Sequence, residues 1–282
     1  MQNALPGAIT MKKRRLLFLI LAVTLIIGLC ACVKPKEEDS FSKLIIGGIE
    51  LSPYFYTNMD GEPDGNDVEI AREACRRIGY QPEFVSIEWQ SKDNLLQSGQ
   101  IDCIWSCFSM DGQENEYEWI GPYLTSRQVV AVLEDSPIYE LEDLAGKRIG
   151  VQTGSVAEEI FLKRELERIP KTENIYSLTE MSDVATALRN RYVDAISGYA
   201  AAISNMLGNS GIKYRLLEDD IVNTRIGVAF SKDSDSKLRE DLADALSEMR
   251  KDGTIETILL EYRMDVDKAL EEDTNEQQPD EE

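Results

Sequence analysis

Short apolar segments alternate with amphipathic segments along most of the chain. Leu44–Ile49 is a continuous apolar run with the length of a buried strand. After a turn-rich stretch, Val68–Ile78 repeats apolar residues every three or four positions, which predicts a helix that Gly79 ends. Strands are predicted next at 82–87 and 102–108, with a short helix at 93–99 between them. This β-α-β-α-β order predicts a mostly parallel sheet with helices on its faces.

A second series of strands and helices follows. Its strands are predicted at 127–133, 174–178, 193–199 and 225–231, and its helices at 155–168, 182–190, 200–207, 235–251 and 254–263. Ser155 with Glu158 three residues later has the pattern of a capping box at a helix start. Two such series predict an α/β fold with two lobes. Because ligands of open α/β sheets bind beyond the carboxyl ends of the strands, we expect a site in a cleft between the lobes.

The N-terminus has the pattern of a secretory signal peptide. Basic residues at Lys12–Arg15 precede an apolar run from Leu16 to Leu29. The following Ala31-Cys32 resembles a bacterial lipoprotein cleavage box, so we expect a lipid on Cys32. The alternative is an uncleaved anchor, but about fourteen apolar residues are fewer than the roughly twenty that a span needs. We expect a signal peptide at 1–32, a linker at 33–40 and an acidic disordered tail at 265–282.

Charge and composition exclude several kinds of partner. The chain has 52 acidic and 30 basic residues, a net charge of −22, and would repel nucleic-acid phosphates. It contains no histidine, the commonest general base and metal ligand. DGEPDG at 60–65 resembles the start of a twelve-residue calcium-binding loop. The twelfth residue, counted from Asp60, is however Ala71 instead of the glutamate that such a loop needs, so we expect neither a metal nor a cofactor. Cys75, Cys103 and Cys107 lack the spacing of a disulfide framework and are expected to be free thiols.

Several segments, taken in order, resemble a known family. They are SPYFY at 52–56, GNDVEIAREACRRIGY at 65–80, LLQSGQIDCIW at 95–105, WIGPYL at 119–124, ELEDLAGKRIGVQTGS at 140–155, VDAISG at 193–198 and MRKDGTIETIL at 249–259. Together they resemble the bacterial extracellular solute-binding proteins of family 3, the amino-acid class with a type II periplasmic-binding-protein-like fold. The resemblance extends from Leu44 to Tyr262.

The resemblance implies both a fold and a function. The fold would be two α/β lobes, at 41–127 plus 228–264 and at 128–227, joined by two strands that cross near 128–132 and 225–228. The lobes would close on a small polar ligand, an amino acid or a derivative, without covalent chemistry. The protein would act as a monomer, held by its lipid to the outer face of the cell membrane, and would deliver the ligand to an ABC permease.

The resemblance also assigns ligand-binding residues. They are Tyr54, Phe55, Trp105, Ser106, Phe108, Ser109, Gln113, Thr153, Ser155 and Tyr199. In the family, an arginine binds the α-carboxylate and an aspartate binds the α-ammonium. Those two positions fall at Gln113 or Glu114 and at Tyr199, so this chain lacks both charged anchors. We therefore expect the ligand to be an amino-acid derivative, a neutral polar molecule or a cationic amine.

Some interpretations remain open at this point. The aromatic side chains could stack on a ligand or pack in a core, and Glu50 could face the cleft or only solvent. Asp102 and Asp194 begin similar strands and are interpreted as structural. A sensory lipoprotein without transport and an enzyme on the same fold are the alternative functions. The residues named above include no nucleophile–base pair, which weighs against the enzyme.

Overall fold

The computed structural model of the protein describes residues 41–164 and 166–271. The helices and strands in this range lie in one unit that begins at Ser42. The expected signal peptide with Cys32, the linker at 33–40 and the tail beyond residue 271 lie outside the described residues. Within residues 41–164 and 166–271, no helix has the length and apolar character needed to cross a bilayer.

The order of elements confirms the α/β alternation. The strands are β1 (Ser42–Gly48), β2 (Tyr56–Thr57), β3 (Pro63–Asp64), β4 (Tyr80–Ser86), β5 (Cys103–Ser109), β6 (Glu118–Leu133), β7 (Arg148–Gln152), β8 (Asn174–Leu178), β9 (Ala195–Tyr199), β10 (Tyr214–Leu216) and β11 (Val222–Phe230). The helices are α1 (Asn66–Ile78), α2 (Lys92–Gln97), α3 (Val156–Lys163), α4 (Met181–Arg189), α5 (Ala200–Asn209), α6 (Ser236–Lys251), α7 (Thr254–Glu261) and α8 (Val266–Ala269).

In the part of the chain that the structure describes, one hydrogen-bonded sheet of nine strands runs through both lobes, while β2 and β3 pair only with each other. Its order is β4-β1-β5-β11-β6-β9-β7-β8, with β10 paired to β6. In the first lobe β1 pairs in parallel with β4 and β5, and in the second lobe β7 pairs in parallel with β8 and β9. The antiparallel strands β6 and β11 link the two halves. The sequence predicts two separate sheets, whereas β6 is long enough to take part in both.

The two linking strands confirm the predicted hinge crossing, although its position differs by a few residues. Thr125–Gln128 of β6 pairs with Val222–Arg225 of β11, between the parts of these strands that join each lobe. Gln128–Ala131, where the sequence places the first crossing, already pairs with β9 in the second lobe. The lobe boundaries themselves stay a prediction.

Helix α1 shows how the pattern of apolar positions becomes a core. Its buried residues include Val68, Ala71, Ala74 and Cys75, as the periodicity predicts, and Gly79 ends it in a left-handed conformation. This face joins a first-lobe cluster that contains residues of β1, β5, α6 and α7. The second lobe has its own clusters on either side of its strands. Apolar surface is thus buried along the strands of both lobes, and the first cluster also contains Tyr199 and Ala202 of the second lobe.

Two predicted boundaries are wrong. The segment 265–271, expected to belong to a disordered tail, contains helix α8, in which Ala269 is buried. The Arg250 guanidinium donates a hydrogen bond to the carbonyl oxygen of Leu270 at 2.6 Å, which fixes this segment against α6. Helix α3, expected to reach Arg168, ends at Lys163 because Arg164 takes a left-handed conformation with φ of 56°.

Candidate functional site

A cavity of about 590 Å³ is lined by both lobes. The first lobe contributes residues 49–51 after β1, residues 86–90 and 92, residues 106–109 at the end of β5, and Gln113. The second lobe contributes residues 152–156 and 159, residues 179–181 and residues 198–199. These segments follow the carboxyl ends of the strands, where ligands of α/β sheets bind. The volume lies within the usual range of small-molecule sites.

Seven of the ten predicted site residues line this cavity. They are Ser106, Phe108, Ser109, Gln113, Thr153, Ser155 and Tyr199. The prediction that strand ends from both lobes would meet here therefore agrees with the geometry. That these side chains bind a ligand stays a prediction.

Three predicted aromatic residues do not line the cavity, which corrects their expected placement. Tyr54, Phe55 and Trp105 are at most 2% exposed. The Tyr54 hydroxyl is hydrogen-bonded to Ser126 at 2.8 Å. Because successive strand residues point to opposite faces, Trp105 points away from the face of its neighbour Ser106 and joins the first-lobe core. These side chains build the core beneath the site.

Hydroxyl groups tie the cavity floor together. The Ser106 hydroxyl accepts a hydrogen bond from the Ile49 N–H and donates one to the Ile49 carbonyl, each at 3.2 Å. It thereby joins the end of β5 to the end of β1. The Ser109 hydroxyl accepts from the Asp111 N–H at 3.2 Å and shapes the turn after β5. Both serines thus have a structural role beside the predicted binding role.

Asp67 supports the cavity floor from beneath, at Cys107, and the sequence patterns do not single it out. Its carboxylate accepts hydrogen bonds from the Cys107 N–H at 2.6 Å and the Tyr123 hydroxyl at 2.8 Å. Cys107 lines the cavity with an unfavourable φ of 46°, which these contacts help to maintain. Burial raises the pKa of Asp67 to about 7, although both hydrogen bonds lower it. The only sequence signal is an acid immediately before the predicted start of a helix at Val68.

The second-lobe loop confirms the predicted capping of α3 by Ser155. Its side chain accepts a hydrogen bond from the Glu158 N–H at 3.1 Å. The Glu158 carboxylate in turn accepts from the Gly154 N–H at 2.6 Å, one residue earlier than in the usual capping box. Two backbone donors at the start of α3, the N–H groups of Gly154 and Glu158, are therefore already hydrogen-bonded within the chain.

Gly154 is also the point where the second lobe approaches Trp89 of the first. It has a φ of +74°, and a Cβ atom placed there would lie 3.1 Å from Cδ1 of Trp89. The Trp89 ring packs edge-on against Phe108 at a centroid distance of 4.8 Å. Only a glycine therefore allows this close approach without strain.

Further lining residues were not predicted. Trp89, Lys92 and Gln128 line the cavity. Glu50 also lines it, although the sequence alone does not decide whether this residue faces the cleft or only solvent. The Lys92 ammonium lies 5.0 Å from the centre of the Trp89 ring and 3.1 Å from the Asp93 carboxylate. Gln128 is 1% exposed and lies where β6 passes between the lobes. No local sequence pattern reveals a position that depends on this crossing.

Comparisons with known proteins agree with this geometry. The family described as bacterial extracellular solute-binding proteins, family 3, matches residues 44–265. The arginine-binding extracellular protein ArtP of Bacillus subtilis is 28% identical over 251 residues, which are 88% of this chain and 96% of that protein. The histidine-binding periplasmic protein of Escherichia coli K12 is 28% identical over 222 residues, 75% of this chain and 83% of that protein.

The solved structures include proteins with the same fold. The crystal structure of Tv2483 bound to L-arginine is 27% identical, with a TM-score of 0.70, and the match covers 79% of this chain and 90% of that one. A Streptococcus pneumoniae substrate-binding protein of an ABC uptake transporter with bound histidine has a TM-score of 0.72 at 22% identity, covering 83% and 96% of the two chains. This chain therefore belongs to the bacterial extracellular solute-binding proteins of family 3.

Proposed function

We propose that this protein captures an amino acid or a related small polar compound in the interlobe cavity and delivers it to an ABC importer. It acts as a monomer on the outer face of the cell membrane, held there by a lipid on Cys32. The observation that carries the proposal is the cavity itself, because residues of both lobes line it. A ligand that contacts both lobes stabilises their closed arrangement, and a transporter can recognise that arrangement.

We infer that binding occurs without chemical turnover. Cys107 is the cysteine of the cavity lining and thus a candidate nucleophile, but its side chain is only 4% exposed. Burial and the nearby Asp67 raise the pKa of its thiol well above the usual value. The group therefore stays a protonated thiol, which is a poor nucleophile.

A ligand screen with one blocking variant tests the location of the site. Thr153 lines the cavity from the second lobe and is exposed, so Thr153→Trp is expected to fold normally while its indole fills part of the cavity. The ligands that raise the melting temperature of the wild type, among amino acids, amines and their derivatives, are expected to bind Thr153→Trp at least tenfold more weakly. Thermal shift and calorimetry measure both quantities.

Thr257→Trp is the matched control. Thr257 is an exposed threonine on α7, and it does not line the cavity. This variant is expected to bind with wild-type affinity. Equal affinity of both variants would place the ligand elsewhere, and a screen without any stabilising compound would contradict solute capture.

The lipid anchor has a separate test. The chain expressed in a bacterium is expected to partition into the detergent phase of a Triton X-114 extract, whereas Cys32→Ser is expected to remain in the aqueous phase. The reason is that Cys32 follows the apolar run and is the residue that the cleavage pattern would modify. Cys30→Ser serves as the control and is expected to behave like the wild type. Detergent partition of Cys32→Ser would rule out this anchor.

A further inference from the structure

The charged side chains around the cavity are mostly acidic. Among the lining residues that the structure describes, five carry a formal charge, and they are Glu50, Glu88, Lys92, Glu159 and Glu180. The lining thus contains four carboxylates and one ammonium group. A cleft lined by one sign of charge concentrates its field and attracts the opposite ion. The net charge of −22 on the whole chain acts in the same direction.

Both lobes contribute to this acidic lining. Glu50 and Glu88 come from the first lobe, and Glu159 and Glu180 from the second. Glu50 accepts hydrogen bonds from the Thr57 N–H and hydroxyl at 2.9 and 2.7 Å, and these neutral donors leave its charge in place. Closure of the lobes therefore brings like charges together, and a bound cation relieves their repulsion.

The cations near the cavity are already paired. The Lys92 ammonium lies 3.1 Å from the Asp93 carboxylate, and its side chain is only 15% exposed. Lys163 forms an ion pair with Glu159 on the surface of α3. Arg225, on β11, contacts Asp111 and Glu114 at 2.6 and 2.9 Å in the loop after β5. A ligand carboxylate would have to compete with these acids for each cation.

An acceptor of Gln128 at the cavity floor, unpaired among the described residues, independently indicates that the ligand has a hydrogen-bond donor. The Gln128 side chain lines the cavity and is 1% exposed, and its Oε1 atom accepts no hydrogen bond from the described residues. A buried acceptor without a donor destabilises the protein. An N–H group of a ligand would satisfy this oxygen, whereas a carboxylate oxygen would repel it.

From these observations we propose that the cavity binds an organic cation, an amine or guanidine compound, through its N–H donors, and that an α-carboxylate on the ligand adds little affinity. Gln128 accepts one N–H at the floor, and the glutamates of both lobes surround the positive charge. This inference rests on the proposed function, because it concerns the ligand of the same cavity. It selects the cationic amine from the three ligand classes that the sequence leaves open.

Matched pairs of ligands test the proposal directly. Calorimetric titration of the purified protein compares arginine with agmatine, ornithine with putrescine, lysine with cadaverine and histidine with histamine. Each second compound lacks only the carboxylate. For the pair that binds most tightly, the amine is expected to bind no more than threefold more weakly than its amino acid. A larger preference for the amino acid would overturn the proposal, and reduction of that preference by Lys92→Met would assign the carboxylate to Lys92.

Other outcomes separate this proposal from the proposed function. If none of the eight compounds binds but a neutral or acidic compound of the wider screen does, solute capture stands and the cationic ligand is wrong. If no compound of the whole screen binds, both are wrong.

Charge variants show whether the lining or the net charge attracts the amine. Glu88→Gln combined with Glu180→Gln is expected to lower the affinity for the bound amine at least tenfold. Glu240→Gln combined with Glu256→Gln removes the same charge from exposed positions outside the lining and is expected to change affinity less than twofold. Gln128→Leu, which removes the floor acceptor, is also expected to weaken binding about tenfold. Equal effects of the two glutamate pairs would contradict recognition by the lining.

Discussion

Wild-type protein is expected to lose about 4 kcal/mol of unfolding free energy between pH 4 and pH 7 through Asp67, and Asp67→Asn is expected to abolish this loss. Burial raises the pKa of Asp67 in the folded state to about 7, against about 3.9 in an unfolded chain. Between these values the folded state binds more protons than the unfolded state, so stability falls as pH rises. The stabilisation is complete below about pH 4 and is lost once the pH passes about 7. A shift of about three pKa units corresponds to about 4 kcal/mol.

Asparagine is suited to this test because it keeps the shape of the side chain. Its amide oxygen can accept from the Cys107 N–H, and its amide N–H can donate to the Tyr123 oxygen. Burial raises the pKa of Tyr123 and of Cys107 well above their usual values, so these neighbours stay neutral throughout the window. Titration of other carboxylates cancels in the difference between wild type and variant.

Urea unfolding at pH 4.5, 6 and 8, followed by tryptophan fluorescence, measures this difference. Asp67→Asn is expected to be the more stable variant at pH 8 and to lose its advantage at pH 4.5. The control is Asp60→Asn, at an exposed aspartate of the turn between β2 and β3, and the pH dependence of this variant is expected to match the wild type. If the unfolding free energies of wild type and Asp67→Asn changed with pH in parallel, the pKa of the Asp67 carboxyl would not be raised in the folded state.

The sequence predicts the helices and strands well because both halves of the fold follow simple rules. Apolar residues repeat with the helical period along α1 and lie on its buried face, although the polar residues Asn66 and Asp67 at its start are buried as well. The order of strands and helices alone predicts that the carboxyl ends of the strands lie at one edge. Ser106 and Thr153, which follow such strand ends, accordingly line the same cavity. Local pattern and topology thus suffice for the framework of the site.

The remaining site residues depend on tertiary structure. Phe55 lies outside the predicted strands, and only the packed fold shows that it points into the core, whereas strand alternation alone places Trp105 on the face opposite Ser106. Gln128 lies at the cavity because β6 crosses from the first lobe into the second at this residue. Trp89 lies there because the first-lobe segment that contains it approaches Gly154 of the second lobe. The acidic character of the lining follows from four glutamates that lie far apart in the sequence.

Gly65→Ala is expected to destabilise the protein by about 4 kcal/mol or more, or to prevent folding. Gly65 precedes α1 with φ of 130° and ψ of 162°, a conformation that is nearly restricted to glycine and costs other residues about 1–3 kcal/mol. A Cβ atom there would lie 2.1 Å from the carbonyl oxygen of Tyr54, and such overpacking costs about 1–3 kcal/mol more. That carbonyl also accepts a hydrogen bond from the Asp67 N–H at 3.0 Å.

The same substitution at Gly61 separates the steric clash from the backbone strain. Gly61 lies in the turn between β2 and β3 with a φ of +82°, and no heavy atom lies within 4 Å of a Cβ placed there. Gly61→Ala is therefore expected to cost only about 1–2 kcal/mol, the penalty for a left-handed alanine. Urea unfolding compares the two variants, and an equal loss of stability would show that the contact with Tyr54 does not determine the start of α1. Because α1 carries Asp67 to the floor, the folded fraction of Gly65→Ala is also expected to bind ligand more weakly than Gly61→Ala.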